Sequence, residues 1–243
     1  MCGRFAMAKL AAEYGEEFET LLTPQINDLG MNWNVAPTKE IYIIKQDSNK
    51  KRILENAYWG IIAPWSKDLA SALKSQSSSI NARSETVFEK PTFRNSFKTS
   101  RCLIPASGYY EWATELGPYK SKQPFFIQEK AGKKSLALTG IYASWQDPIS
   151  KLNYQTAAIL TKDSVGFLAK VHSRMPVFLP ESDWDIWLDL SQQDPADLID
   201  LIQNALSDSF LQAWPVSDRV NSTRNSGIAL SQQIDLDFPQ TLF

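Results

Sequence analysis

Leu136-Ala137-Leu138-Thr139-Gly140-Ile141-Tyr142-Ala143 and, beyond a break at Asp147-Pro148, Tyr154-Gln155-Thr156-Ala157-Ala158-Ile159-Leu160-Thr161 decide how the chain reads. Each is a short apolar or alternating run bounded by Gly, Pro, Asp and Lys clusters, which is the pattern of a strand. The pattern recurs at Ile41 to Ile44, Ile53 to Trp59, Arg101 to Ile104 and Pro124 to Gln128. Trp214 to Val220 reads as a closing strand, followed by a polar loop from Asn221 to Gly227. Helical spacing shows in three places. Lys9 to Leu22 sets Leu10, Tyr14, Phe18 and Leu21/Leu22 on one face, with Glu13, Glu16 and Glu17 on the other. Glu181 to Leu190 has Ser182 or Asp183 as a cap, and Pro195 to Leu206 opens on the proline that a first helical turn tolerates. Ser71 to Ser79, within a segment from about residue 66 to 79, is expected to be a mobile loop. The sum is a β-rich core with peripheral helices.

The chain has 243 residues, of which 43% are hydrophobic, enough to bury one sizeable core, so one domain over 1–243 is expected. No apolar run reaches the length of a membrane span, and the amino terminus lacks the apolar core of a secretory signal. A cytosolic or other reducing compartment is therefore expected, and nothing demands more than a monomer. Cys2 and Cys102 are the two cysteines, and the one histidine is His172. That inventory excludes a disulfide framework and a structural zinc site of usual spacing. No cofactor-binding glycine pattern occurs. A formal charge of −2 argues against non-specific coating of nucleic acid, so any phosphate binding must come from a local patch.

The polar residues that stand apart are few. Cys2, in Met1-Cys2-Gly3-Arg4-Phe5, would carry a free α-amine beside its thiol once the initiator methionine is removed, which is a 1,2-aminothiol. Such a pair condenses with an aldehyde to an imine and then closes a five-membered thiazolidine. Both groups titrate near neutral pH when unperturbed, at about 7.7 to 8.0 and about 8.5. The plainer reading is an early residue of an uncleaved chain. Glu111 sits between Tyr110 and Trp112, where desolvation would raise its pKa toward neutrality; otherwise it is a strand-end carboxylate turned to water. His172, in Val171-His172-Ser173-Arg174-Met175-Pro176, is an acid–base candidate or a satisfied structural histidine. Asn81 and Arg83, two residues apart, would share one face of a strand, which suits an oriented nucleophile beside a phosphate; Asn and Arg also terminate ordinary strands. Arg4, Arg83, Arg94, Lys98, Arg101 and Arg174 accompany Trp59, Trp65, Phe93, Phe97 and Tyr109. That is the mixture that binds single-stranded nucleic acid, or equally core rings with solvated charge.

These segments in order resemble the SRAP family of abasic-site processing proteins. The resemblance rests on Cys2-Gly3-Arg4-Phe5, Asn34-Val35-Ala36-Pro37-Thr38, Trp59-Gly60-Ile61-Ile62-Ala63-Pro64-Trp65, Asn81-Ala82-Arg83-Ser84-Glu85-Thr86, Gly108-Tyr109-Tyr110-Glu111-Trp112, Lys122-Gln123-Pro124-Phe125-Phe126 and His172-Ser173-Arg174-Met175-Pro176. It implies a single α+β domain on a barrel-like sheet, with a basic cleft for single-stranded DNA. It also implies that Cys2 is the covalent nucleophile, that Asn81 orients it, and that Glu111 and His172 move protons. Arg4, Arg83 and Arg174 would hold phosphates beside the lesion, and Trp65 would abut the bases. The substrate so implied is an abasic deoxyribose in single-stranded DNA, captured as a thiazolidine crosslink without metal or cofactor. About three phosphate contacts would give a salt slope near −2. An amino-terminal-nucleophile or cysteine peptidase, acting on its own leading residue, stands as the other enzymatic reading. A single-strand binding module without chemistry is the third.

Overall fold

The computed structural model describes residues 2–113, 117, 119, 121–192 and 194–235. Along these the strands are β1 (Phe5–Met7), β2 (Leu21–Leu22), β3 (Asn32–Val35), β4 (Glu40–Gln46), β5 (Arg52–Trp59), β6 (Asn81–Arg83), β7 (Arg101–Ala106), β8 (Gly108–Ala113), β9 (Gln123–Glu129), β10 (Leu136–Gln146), β11 (Asn153–Asp163), β12 (Arg174–Pro176) and β13 (Leu211–Pro215). The helices are α1 (Ala11–Glu17), α2 (Leu69–Ser78), α3 (Arg94–Thr99), α4 (Leu168–Val171), α5 (Trp184–Leu188) and α6 (Pro195–Gln203).

The two runs that decided the sequence reading become β10 and β11, paired antiparallel from Gly140 opposite Ile159 to Gln146 opposite Asn153. They start a ring: β10 pairs with β7, β7 with β4, β4 with β5, and β5 returns to β11 in parallel through Tyr58–Thr156 and Trp59–Ala157. Five strands thus close into a barrel, which leaves these strands without open edges inside the ring. Every residue of β7 is buried, in keeping with a strand that has the barrel interior on one face and packed helices on the other. The protein is therefore an α+β fold on a barrel core, as expected.

A second, antiparallel sheet runs β13-β9-β8-β1-β3 and lies against the barrel. Its interior strand β1 sets Phe5 opposite both Tyr109 and Val35. The ring of Phe5 meets Trp59 edge-on at 4.9 Å, joining the two sheets. Gly108 opens β8 because a Cβ there would collide with the ring of Phe126 and the carbonyl of Ile127.

Three expectations are corrected. The first helix is only Ala11–Glu17, because Glu19 turns the chain at a positive φ of 53° and Leu21–Leu22 then pairs alongside Ile53 and Leu54. The serine-rich segment is not a loop but α2. Asp68 caps it, its Oδ1 accepting the Ser71 N–H at 2.7 Å, and Ala72 and Gln76 are buried beneath it. Its serines satisfy themselves on backbone carbonyls of the preceding turn, so composition alone misleads here. The closing strand ends at Pro215. Ser217 then caps a short 3-10 turn over Asp218–Asn221, its hydroxyl accepting the Arg219 N–H.

Candidate functional site

The site lies where the line of β1 runs back through Arg4 to Cys2. Tyr110 donates its N–H to the Arg4 carbonyl, so pairing with β8 continues past the formal end of β1 and brings Glu111 alongside Cys2. Asn81, at the start of β6, reaches the same point from the barrel. β6 continues along β11 where β5 leaves off, with Asn81 opposite Ile159. From there Asn81 Nδ2 donates to the Cys2 carbonyl at 2.8 Å. The two sheets thus converge on one residue, the barrel sheet through the short strand β6.

Cys2 is fully buried, and its Sγ points to the Arg4 carbonyl at 4.0 Å. Burial pushes the thiol well above its ordinary range, and the nearby Glu111 charge adds to that. Glu111 is 3% exposed, and the same desolvation pushes its carboxyl up to about 7. The acid is therefore poised to give or take a proton near neutral pH. Asn81 Oδ1 is buried and accepts no hydrogen bond from the described residues, so it offers an acceptor for an N–H at Cys2.

His172 follows α4, and its Nδ1 lies 3.9 Å from Glu111 Oε2. That is beyond hydrogen-bond range, and Nδ1 already receives the Arg174 N–H at 3.0 Å. The Arg174 carbonyl lies 3.2 Å from the same nitrogen, so the backbone at Arg174 holds Nδ1 whichever ring nitrogen carries the proton. Burial lowers the His172 pKa, which favours the neutral form.

The cations divide. Arg83 is exposed at the end of β6. Arg4 is half-buried; its NH1 donates to Asn34 Oδ1 at 2.7 Å and to the Val220 carbonyl at 2.9 Å. Arg174, expected to hold a phosphate, is 8% exposed and already clamped. Its NH1 and NH2 take Glu85 Oε1 and Oε2 at 2.7 and 2.9 Å, NH1 takes Asp163 Oδ1 at 2.6 Å, and NH2 takes the Thr161 carbonyl at 2.6 Å. A guanidinium so engaged must surrender a carboxylate to meet a phosphate, while the backbone N–H of the same residue is what holds His172 Nδ1. Arg101, counted in the basic cluster, is fully buried and donates to five carbonyls, those of Trp187, Phe97, Lys98, Asp189 and Gln192. It is a structural tie between β7, α3 and the segment after α5. Trp65 is 58% exposed in a turn closed by Ser66 N–H to the Ala63 carbonyl. Among the described residues no group of three His, Cys, Asp or Glu side chains is placed to hold a metal ion, and no helix is long and apolar enough to cross a membrane.

Three partners escaped the sequence reading. Asn34, 3% exposed, holds Arg4 and donates to the carbonyls of Ser222 and Asn225, tying the expected polar loop to the site. Glu85 and Asp163 clamp Arg174. Asn34 and Glu85 lie inside segments already singled out, so their place in those motifs was the available signal; Asp163 had none.

The model of the family described as SOS response associated peptidase (SRAP) matches residues 1–223 of the chain. The abasic site processing protein YoqW of Bacillus subtilis is 35% identical over 226 residues, which cover 93% of this chain and 96% of that protein. The abasic site processing protein YoaM of the same organism is 33% identical over 230 residues, covering 95% and 97%. A crystal structure of a protein from Bacteroides thetaiotaomicron superposes with a TM-score of 0.82 at 22% identity, covering 96% of this chain and all of that one, and shares the fold.

Proposed function

The chain belongs to the SRAP family, and on that premise we propose that it processes abasic sites in single-stranded DNA by forming a thiazolidine with the opened sugar. The observation that carries the reading is the setting of Cys2: its carbonyl pinned by Asn81 at 2.8 Å, with a buried Glu111 beside it whose carboxyl titrates at about 7.

Removal of residue 1 frees the Cys2 amine. Glu111, protonated, gives its proton to the ring oxygen of the abasic hemiacetal as the ring opens to the aldehyde, and the proton lost by the C1 hydroxyl restores the carboxylic acid. The amine attacks the aldehyde carbon, and loss of one water leaves the imine. The proton shed by the attacking amine passes to the departing hydroxyl with His172 assisting the transfer, so the imidazole ends as it began. The thiol adds across the C=N bond: sulfur bonds to carbon, and the thiol proton ends on nitrogen. Because burial holds the thiol protonated, the amine reacts first and the sulfur closes the ring second. The thiazolidine nitrogen is not an iminium, so elimination of the 3′ phosphate is suppressed and the strand stays whole. Arg83 and Arg4 are the cations nearest to hand for flanking phosphates. Two such contacts give a salt slope of roughly −1.4, against about −2 for three.

The test mixes purified protein with a single-stranded oligonucleotide carrying one uracil, with and without uracil glycosylase. The expected result is a heat-stable adduct that depends on the glycosylase, appears only on chains beginning at Cys2, and loses one water in its mass. No adduct from chains shown to begin at Cys2 would overturn the reading. The peptidase in the family's description names the other reading, for which the same sample should instead show release of residue 1 that stops in Cys2→Ser.

A further inference from the structure

A groove of about 510 Å³ lies beside the site, lined by Trp65, Lys67, Asp68, Ser71, Ser78 and Thr92 among others. One wall is the serine face of α2, with Ser71, Ser75 and Ser78 one turn apart; the rim is the exposed indole of Trp65. Ser79 also lines it, two residues and so at most about 7 Å of backbone from Asn81, whose amide holds the Cys2 carbonyl. The wall is firmly built. Gly60, at a φ of 113°, lets α2 close on the loop, since a Cβ there would collide with the Gln76 carbonyl. The Ala63 N–H donates to Ser75 Oγ at 2.9 Å, and Trp145 Nε1 donates to the Ser66 carbonyl at 3.2 Å.

The hydrogen-bond directions decide what it can hold. Ser71 Oγ gives its proton to the Asp68 carbonyl at 2.9 Å, and Ser78 Oγ gives its proton to the Ser75 carbonyl at 2.9 Å. Ser71 Oγ also accepts the Asp68 N–H at 3.3 Å, so Ser78 Oγ, whose proton is spent on Ser75, is the hydroxyl left to accept from a ligand in the groove. Asp68 adds a carboxylate held ionised by the Ser71 N–H. An acceptor-rich wall with a carboxylate repels a phosphate, and Lys67 is the one cation lining it. What suits it is a flat ring that stacks on an indole and carries an exocyclic amino group to donate.

We propose that this groove takes the unstacked base next to the lesion and prefers adenine, cytosine or guanine to thymine. The proposal rests on the abasic-site reading and adds to it the identity of the neighbouring base. A base amino group on Ser78 Oγ supplies one neutral hydrogen bond, worth a discrimination of about fivefold.

The experiment scans each of the two positions on either side of an abasic site, in an otherwise all-thymine strand, through all four bases. Crosslinking rates are measured below saturation, and affinity is measured with the unreactive tetrahydrofuran analogue of the lesion. At one position, amino-bearing bases should crosslink and bind about fivefold better than thymine. Ser78→Ala should flatten that preference while leaving the rate on the all-thymine strand unchanged, and Trp65→Ala should weaken all four bases at that position alike. A wild-type profile flat at every position, or a preference that survives both substitutions, overturns the groove. Absence of adduct on every strand with preserved binding to the analogue would instead strike the chemistry, so the two failures are separable.

Discussion

The two cysteines are equally buried, both fully enclosed, and burial pushes both thiols far above their ordinary range. Cys102 sits in β7 opposite Gly140, in the wall of the barrel, with its carbonyl taking the Trp187 indole N–H at 3.0 Å. Cys2 sits where polar side chains from different strands converge. Thiol acidity therefore does not distinguish them; what differs is covalent position and polar company. Only Cys2 can carry an amine next to its thiol, and only there do Asn81 and Glu111 lie within reach. A buried, protonated thiol is a poor nucleophile on its own. It becomes useful as the second reagent of an aminothiol, where ring closure is intramolecular and needs no free thiolate pool.

The largest expected effect comes from breaking that covalent position. Cys2→Ser should abolish the heat-stable adduct, because an oxazolidine reopens in water, while leaving affinity for the tetrahydrofuran analogue within about twofold. Cys102→Ala should keep the adduct rate. Intact-mass kinetics on both variants checks the contrast, and a Cys102→Ala chain that fails to crosslink while still folded would sink the assignment of the two roles.

Glu111→Gln comes next. A positioned proton donor contributes roughly 10²- to 10⁴-fold, and the amide cannot supply it. The pH dependence has a definite sign. The native carboxyl titrates at about 7 against 4.5 in the unfolded chain. Its contribution to stability is fully present below pH 4.5 and is lost as the pH rises through 7, where the buried carboxylate must ionise. Glu111→Gln should therefore crosslink slowly yet, above pH 7, be more stable than the parent by on the order of 3 kcal/mol. Denaturant melts at pH 5 and pH 8 test this, and equal gains at both would contradict the desolvation account.

A smaller effect tests the company kept by His172. Glu85 reaches both guanidinium nitrogens of Arg174 and so anchors the strand whose backbone N–H at Arg174 holds His172 Nδ1. Glu85→Ala loosens that chain and should slow adduct formation by about tenfold, the scale of one charge-assisted hydrogen bond, whereas Glu85→Gln should recover part of it. Asp163, 83% exposed on its side chain, should matter less when changed to Ala, since a solvated carboxylate holds its partner weakly. Comparable losses from both changes would place the control of His172 elsewhere.

How far the sequence carried depends on which forces speak locally. The barrel strands were legible because strand length and burial leave their mark in single runs: Ile41 to Ile44, Arg101 to Ile104 and Tyr154 to Thr161 all fall within observed strands. The serine-rich helix was not, because its stability comes from an Asp68 cap and from buried Ala72 and Gln76, a tertiary arrangement that composition hides. Asn81, Glu111 and His172 were singled out individually, but their convergence depends on β6 running along β11 and on β8 extending past Phe5, pairings between residues far apart in the chain. The arginines show the same limit. Arg101 and Arg174 look alike as letters, yet one is spent on five carbonyls and the other on two carboxylates.

The smallest effect sharpens the comparison most, because it isolates packing from chemistry. Cys102 and Gly140 face each other so closely that a Cβ on the glycine would sit 3.1 Å from the Cys102 sulfur. The sulfur thus shares the space left by the missing side chain with Ile104 Cδ1 and the Ala158 carbonyl. Cys102→Ala empties that share and should cost about 1 kcal/mol, in line with the loss of one buried heavy atom. Cys102→Ser nearly matches the volume but carries a stronger donor into an apolar wall, and should cost more, about 2 kcal/mol. Both should leave adduct formation at the parental rate. The order Ser worse than Ala, read from urea midpoints, marks a cysteine kept as a small hydrophobe. At Cys2 the same pair of substitutions has the opposite emphasis: polar partners are present, so stability changes less between Ser and Ala, and the chemistry disappears in both.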